Sequence, residues 1–345
     1  MKSYIYISIL ILPILFFGAC KEVLIPSPEA NTILNNYDVF GQDVQEKYGL
    51  FKVKNFDWQE VLKVHRTDLE ANPTEAGLYQ TLTDLIDVLD DSHVALEVPN
   101  SSFPFYDGGI YGRLERAGFR DTDLELVKSK YVNVIDSIPY TLFYGTIEGN
   151  VGYLYLSEIS DDPSFYEDLM PTVLDKLKDT KGIIIDIRDN NGGEDEGGRT
   201  LASFFASKEA PYMISRYKIG EGPDDFEEDR LWTLSPHDGV RYEKPVVLLT
   251  NRYSVSAAET FSFAMKSQEQ LVHVGDTTTG AFSDAVTRQL PNGWLYSISV
   301  GDYRDAENRS FESIGLAPDV LAENTTADLA AGEDKMLEAA IQALQ

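Results

Sequence analysis

Two serines stand close together in Asn251-Arg252-Tyr253-Ser254-Val255-Ser256-Ala257-Ala258-Glu259. The chemistry open to a serine is attack on a carbonyl. That needs a base within reach, a group orienting the base, and N–H donors for the oxyanion. The apolar run 245–250 (PVVLLT) before the motif reads as a buried strand, and 260–265 (TFSFAM) after it continues as a helix. Such a strand–turn–helix presents the serine Oγ at a sheet's carboxyl edge. The next backbone N–H, that of Ala257 for Ser256, then lies at a helix N-terminus. Both serines would serve equally as ordinary helix caps, and this stretch alone does not choose between the two roles.

A base has to come from four histidines, His65, His93, His237 and His273. His65 lies on a helical pattern between Lys63 and Arg66 and reads as a surface residue. His273 sits inside an apolar strand and reads as core. His237 belongs to a Pro-His-Asp-Gly turn. His93 stands where a helical pattern breaks into a strand-like run, next to Ser92, and is the best-placed candidate; the competing role is a helix C-terminal histidine favoured by the dipole. The turn Arg188-Asp189-Asn190-Asn191-Gly192-Gly193 follows a buried strand and can aim backbone N–H groups at an anion. It lacks the Lys-Ser/Thr of a P-loop and the spacing of a dinucleotide fingerprint, so an oxyanion role for Gly192 or Gly193 is preferred. No spacing of Cys, His and carboxylates suggests a metal site, and no cofactor is expected.

The chain has 345 residues, enough for one large domain and a smaller one. With 57 acidic against 29 basic side chains its formal charge is −28, which argues against nucleic acid and anionic lipid as partners. Cys20 is the sole cysteine, so no intramolecular disulfide forms. Lys2, an apolar stretch over 4–17, then Gly18-Ala19-Cys20 have the layout of a secretory signal. The apolar run is short for a membrane span. It resembles a bacterial lipoprotein signal cut before Cys20, which implies lipidation of that thiol. Residues 20–31, with two prolines, read as a tether to the membrane.

From 32 to 97 the pattern is helical. Tyr37, Phe40, Val44, Tyr48 and Phe51 form one amphipathic face, and Asp57 with Glu60 fits a capping box. A third helix from about Thr74 to Leu89 carries Leu78, Leu82, Leu85, Ile86 and Leu89 on one side. Residues 98–150 read as a linker with short strands, 124–127 among them. From Val151 to the C-terminus the rhythm is α/β. Strands are expected at Val151–Leu156, 182–188, before Thr250, at Leu271–Gly275, 286–290, 295–300 and 316–320. Helices are expected over about 164–177, near 198–206, after Ser256 and over 334–344. The alternation implies a mixed sheet covered by helices, with sites at the carboxyl ends of strands.

Four ordered segments, LDDSHV (89–94), IDIRDNNGG (185–193), TNRYSVSAAE (250–259) and FESIGLAPD (311–319), resemble the tail-specific (C-terminal processing) serine peptidases, in particular the tricorn-like branch. The similarity spans about residues 30–325. It implies a ClpP/crotonase-like α/β core behind an N-terminal helical subdomain. One arrangement in that family pairs the serine with a lysine, but Ala281 occupies the lysine's position here, and Lys266 lies too far along the same helix. The tricorn-like arrangement maps onto Ser92, His93, Ser256 and Glu312. It implies Ser256 as nucleophile, His93 as its base, Glu312 with Ser92 orienting the imidazole, and Ala257 with Gly192 or Gly193 as oxyanion donors. Protein or peptide substrates are implied, acted on by a lipid-anchored enzyme of the bacterial envelope. Many members carry a PDZ module where this chain has only about fifty residues, 99–150, too few for one. The alternatives are an esterase with the same triad and a silent binding protein on the same fold.

Overall fold

The computed structural model describes residues 31–54, 56–139 and 141–345. The stretch read as a signal, 1–19, Cys20 and nearly all of the stretch read as a tether lie outside the described residues. Among the described residues no helix is long and apolar enough to cross a membrane.

Three helices open the chain: α1 (Ile33–Lys47), α2 (Trp58–Ala71) and α3 (Glu75–Leu89). Each starts where a side chain accepts an orphan N–H of the first turn: Thr32 from Asn35, Asp57 from Glu60, Thr74 from Gly77. The five apolar residues expected on one face of α3 are fully buried. At roughly 1.5–3 kcal/mol for each buried aliphatic side chain, that face holds the helix in place. The helices do not enclose a core alone. They pack on β1 (Ala95–Glu97) and on a hairpin that supplies Leu290, Trp294, Tyr296 and Ile298.

After β2 (Tyr106–Asp107) comes α4 (Gly109–Ala117). Residues 124–127, expected as a strand, form helical turns instead, because Asp123 Oδ1 caps the N–H groups of both Glu125 and Leu126. The strands β3 (Val132–Ile138), β4 (Leu142–Ile147) and β5 (Val151–Leu156) pair antiparallel. Thus the 98–150 stretch contributes two strands to the main sheet. Then follow α5 (Pro163–Leu177), β6 (Ile183–Asp186), α6 (Asp195–Ser203), β7 (Ala210–Tyr217), β8 (Arg230–Leu234) and β9 (Val246–Thr250). Helix α6 begins ahead of the expected 198; Asp195 and Glu196 in its first turn suit the positive end of the dipole.

The chain continues with α7 (Ala257–Lys266), β10 (Leu271–Gly275), β11 (Ala285–Gln289), β12 (Leu295–Ser299), β13 (Gly301–Asp305), β14 (Val320–Leu321) and α8 (Lys335–Gln342). The expected strand 316–320 survives only as β14; Pro318 has no N–H to give a ladder. The hairpin across Pro291-Asn292-Gly293 is present, with Arg288 opposite Tyr296.

The main sheet has the order β14-β10-β9-β6-β5-β4-β3, parallel from β5 through β14. Both of its faces are covered, and β6 and β9 are buried throughout, as fits parallel strands with helices on either side. This is the mixed α/β architecture expected. Strands β6 and β9 are neighbours, so the turns leaving their carboxyl ends, 187–193 and 251–256, lie side by side.

Candidate active site

The turn after β9 is tied down by its own polar side chains. Asn251 Oδ1 accepts the N–H groups of Tyr253 (3.1 Å) and Asp189 (3.0 Å), and its amide donates to Asp121 and Asp189. Ser254 is fully buried, its Oγ donating to the Ile187 carbonyl (2.7 Å) and accepting the Asn251 N–H (3.1 Å). Ser254 is therefore a brace between the two turns. Ser256 is half-buried and has φ +62°, ψ −126°. A non-glycine residue in that region is strained by about 1–3 kcal/mol and persists only where its surroundings enforce it.

The enforcement comes from two neighbouring segments. Ser256 N–H donates to the Ala281 carbonyl (3.0 Å) and to Glu259 Oε2 (3.3 Å). On the other side a Cβ on Gly192, itself at φ +83°, would lie 2.6 Å from Ser256 Cβ and 3.1 Å from Ala257 N. Only glycine lets the 190–193 turn come so close. The Gly192 N–H is committed to Asn190 Oδ1 at 2.9 Å. The N–H groups of Gly193 and Ala257 have no acceptor among the described residues. Of the two glycines considered for the oxyanion, Gly193 is thus the one with a donor to offer.

Glu259 is the residue that the sequence reading left without a role. It is fully buried and accepts from Gly280 N (2.7 Å), Ala281 N (2.8 Å), Ser256 N and the Thr278 hydroxyl. Burial pushes its carboxyl up to about 7, against hydrogen bonds that pull it down. The spacing Ser256-x-x-Glu259 is that of a capping box, so a signal for the Ser256–Glu259 contact was present; the reach to 280–281 was not in it. Glu312 is 3 % exposed, and its Oε1 accepts the next two N–H groups of the same segment, Phe282 N (3.0 Å) and Ser283 N (2.7 Å). Burial, then the charges of Asp91 and Glu259, raise the Glu312 carboxyl well above its ordinary value.

Ser92 and His93 form the turn between α3 and β1. Asp91 Oδ1 accepts the His93 N–H (2.9 Å), and Ser297 Oγ on β12 donates to the His93 carbonyl (2.6 Å) while accepting Ala95 N. Ser92 Oγ accepts Tyr111 N–H from α4 (3.2 Å). That helix approaches so closely because Gly109, at φ +60°, has no Cβ to strike Ser92. His93 is half-buried; burial lowers its pKa below the usual 6.5, opposed by the charges of Asp91 and Asp284. No hydrogen bond joins His93 to Ser256 or Glu312 among the described residues. Instead one segment holds two of them, Ala281 accepting the Ser256 N–H and Phe282 and Ser283 donating to Glu312, and the next residue, Asp284, acts on His93 through its charge.

The remaining histidines are elsewhere. His273 is buried, bonded to Thr250 Oγ1 (2.7 Å), its pKa lowered to about 3 by burial and by Lys266. Lys266 pairs with Asp319. His237 bonds Glu167 and stacks on Phe204; His65 Nδ1 meets the Val61 carbonyl. Among the described residues no group of three His, Cys, Asp or Glu side chains could hold a metal ion.

With the geometry in hand, comparison with known proteins is informative. The model of Peptidase family S41 matches residues 150–322. The carboxy-terminal processing protease CtpA of Bacillus subtilis is 25 % identical over 299 residues, 85 % of this chain and 57 % of CtpA. The chain therefore spans little more than half the length of that curated relative. The crystal structure of a candidate peptidase from Parabacteroides merdae superposes with a TM-score of 0.77 at 27 % identity, covering 91 % of this chain and 96 % of the other. Mature CPAF shares the fold, at a TM-score of 0.68 and 14 % identity over 92 % of this chain and 97 % of its own.

The Glu259 clamp is open to test. Glu259→Gln keeps the shape but turns an amide NH2 toward N–H donors. A loss of about 2–3 kcal/mol is expected, seen as a lower urea midpoint, together with slower fluorophosphonate labelling. A variant matching the wild type in both would show that the clamp is dispensable.

Proposed function

Because the chain belongs to Peptidase family S41, we propose that it is a serine peptidase that hydrolyses peptide bonds of protein or peptide substrates through an acyl-enzyme on Ser256. The observation that carries this reading is the strained backbone of Ser256 at the junction of buried β9 and buried α7. A capping serine has no need of φ +62°; a nucleophile turned out of a sheet edge does.

In this reading His93 takes the proton of Ser256 Oγ as the oxygen attacks the carbonyl, then gives it to the departing amine. Ala257 N–H, at the start of α7, and Gly193 N–H hold the oxyanion, each donor worth roughly 3–4 kcal/mol in the transition state. Ser92 and Glu312 complete the set, Ser92 steadying the turn that carries His93 and Glu312 fixing the segment that accepts the Ser256 N–H. Water then releases the acyl group. The gap between His93 and Ser256 closes when substrate is bound, as catalytic hydrogen bonds do.

CtpA is named for carboxy-terminal processing. This chain is read as a peptidase without the PDZ module, since the segment between β1 and β5 runs into α4 and the main sheet. It is also read as lipid-anchored at Cys20 in a bacterial envelope after removal of residues 1–19, the layout of that leader being the support. The helical part 32–97 and the core 151–345 are proposed as its two working units.

Two outcomes test this reading. Ser256→Ala is expected to abolish casein hydrolysis, and His93→Ala to lower it by roughly 10²–10⁴-fold; full activity in either variant would remove that residue from the mechanism. His93 must be neutral to act, and burial lowers its pKa. The wild-type rate should thus rise through a midpoint below pH 6.5 and stay level above it; a midpoint above 6.5 would contradict the assignment. For the anchor, cells fed labelled palmitate should yield labelled protein that Cys20→Ala abolishes, whereas label retained in Cys20→Ala would place the lipid elsewhere.

A further inference from the structure

Three polar atoms beside the site are buried and lack a hydrogen-bond partner among the described residues: Tyr48 Oη, Asp91 Oδ2 and His93 Nδ1. They come from three places in the chain, the end of α1, the residue after the α3 cap, and the turn before β1. Asp91 is 3 % exposed and Tyr48 is fully buried. Their charges act on one another: Asp91 on Tyr48 and on His93, Glu312 on Tyr48, and Asp91 on Glu312. Tyr48 faces Asp91 without reaching good hydrogen-bond geometry. A fourth such atom, Ser299 Oγ, belongs to the residue whose carbonyl accepts the N–H of Gly49.

An orphaned buried polar atom costs about 1–3 kcal/mol, and native proteins leave few of them. Several facing one another call for a shared partner. A single water with three or four polar neighbours meets that need.

We propose that Asp91 is a positioning residue for His93: its Oδ2 and the Tyr48 hydroxyl hold the His93 Nδ1–H through one bridging water, leaving Nε2 free as the base toward Ser256. The inference rests on the reading of His93 as that base, and it adds a carboxylate to the Ser92, His93, Ser256 and Glu312 set. Glu312 is less suited to the task alone. Its Oε1 is taken by two backbone N–H groups, and burial with the charges of Asp91 and Glu259 raises its pKa, which disfavours the anion an imidazolium would pair with. Asp91 already orders the His93 backbone through Oδ1, so one carboxylate fixes both main chain and ring. The other charged groups acting on this cluster are Asp284 on His93, Glu259 on Glu312 and Asp90 on Tyr48, with the Lys54 ammonium donating to the Asp90 carbonyl.

The test is the pH dependence of fluorophosphonate labelling of the full chain, resolved into maximal rate and probe affinity. Asp91→Asn removes the charge that raises the His93 pKa, so its acid limb should move to lower pH. Its maximal rate should fall about 100-fold, a typical worth for a positioned base, with little change in affinity. Tyr48→Phe should lower the maximal rate about tenfold with the same unchanged affinity. Wild-type rate and limb in Asp91→Asn would overturn the proposal, as would a slower variant whose limb has not moved, since that marks a structural role only. If circular dichroism shows Asp91→Asn unfolded, Tyr48→Phe decides, and a wild-type rate there overturns it. Ser256→Ala and His93→Ala run alongside separate the two levels. If they label like the wild type, or if the wild type is inert, the peptidase reading fails and this proposal with it. If they are silent while Asp91→Asn and Tyr48→Phe match the wild type, only the positioning role fails.

Discussion

Glu259 and Glu312 lie inside the protein and, between them, accept four successive backbone N–H groups, those of residues 280 to 283. A carboxyl group is seldom placed where water cannot reach it, and its burial is tolerated when N–H donors converge on it. Here the two acids act as pegs for a single strip of main chain. That strip in turn accepts the Ser256 N–H at Ala281 and leads to Asp284, whose charge acts on His93. The strained Ser256 backbone and the late glutamate are thereby held relative to one another without a direct bond between their side chains.

The scaffold beneath serves the same end. Parallel strands β6 and β9 deliver their turns to one edge, where the Asn251 and Ser254 side chains and the Asn190 carbonyl, which accepts the Val255 N–H, cross-link them. Below the glycine turn, Arg188 is fully buried between Asp186 and Asp334, and Tyr153 donates to Asp186 at 2.7 Å. Removing one member of such a buried network strands a charge, at a cost of about 3–5 kcal/mol. The network fixes the exit of β6 and with it the donor turn. His93 arrives from the other direction, on a helical subdomain stitched to the core through the β11–β12 hairpin.

Much of this was legible in the chain because it is local. The buried runs of β6, β9 and β10, the caps Thr74 and Asp57, and the hairpin at Pro291-Asn292-Gly293 each follow from a few adjacent residues. The choice of Ser256 over Ser254 rests on the family resemblance and on the small residues after it, and the Ser254 hydroxyl is buried. What could not be read depends on distance in sequence. Glu259 meets 280–281 and Asp91 meets Tyr48 only through the tertiary fold. The sheet β13-β7-β8 was not foreseen, as Arg230, Arg304 and their acidic partners mask its alternation. The run 124–127 was misread because its apolar–polar alternation is short and Asp123 caps the N–H groups of Glu125 and Leu126, which starts helical turns there.

The account stands or falls on Ser256 as a nucleophile served by the N–H groups of Ala257 and Gly193. A crystal structure of the protein after reaction with a peptidyl phosphonate measures this directly. The account predicts a covalent bond from Ser256 Oγ to phosphorus, with the phosphonyl oxygen about 2.7–3.1 Å from the N–H groups of Ala257 and Gly193. An adduct on another residue, or a phosphonyl oxygen on Ser256 turned away from both donors, would contradict it.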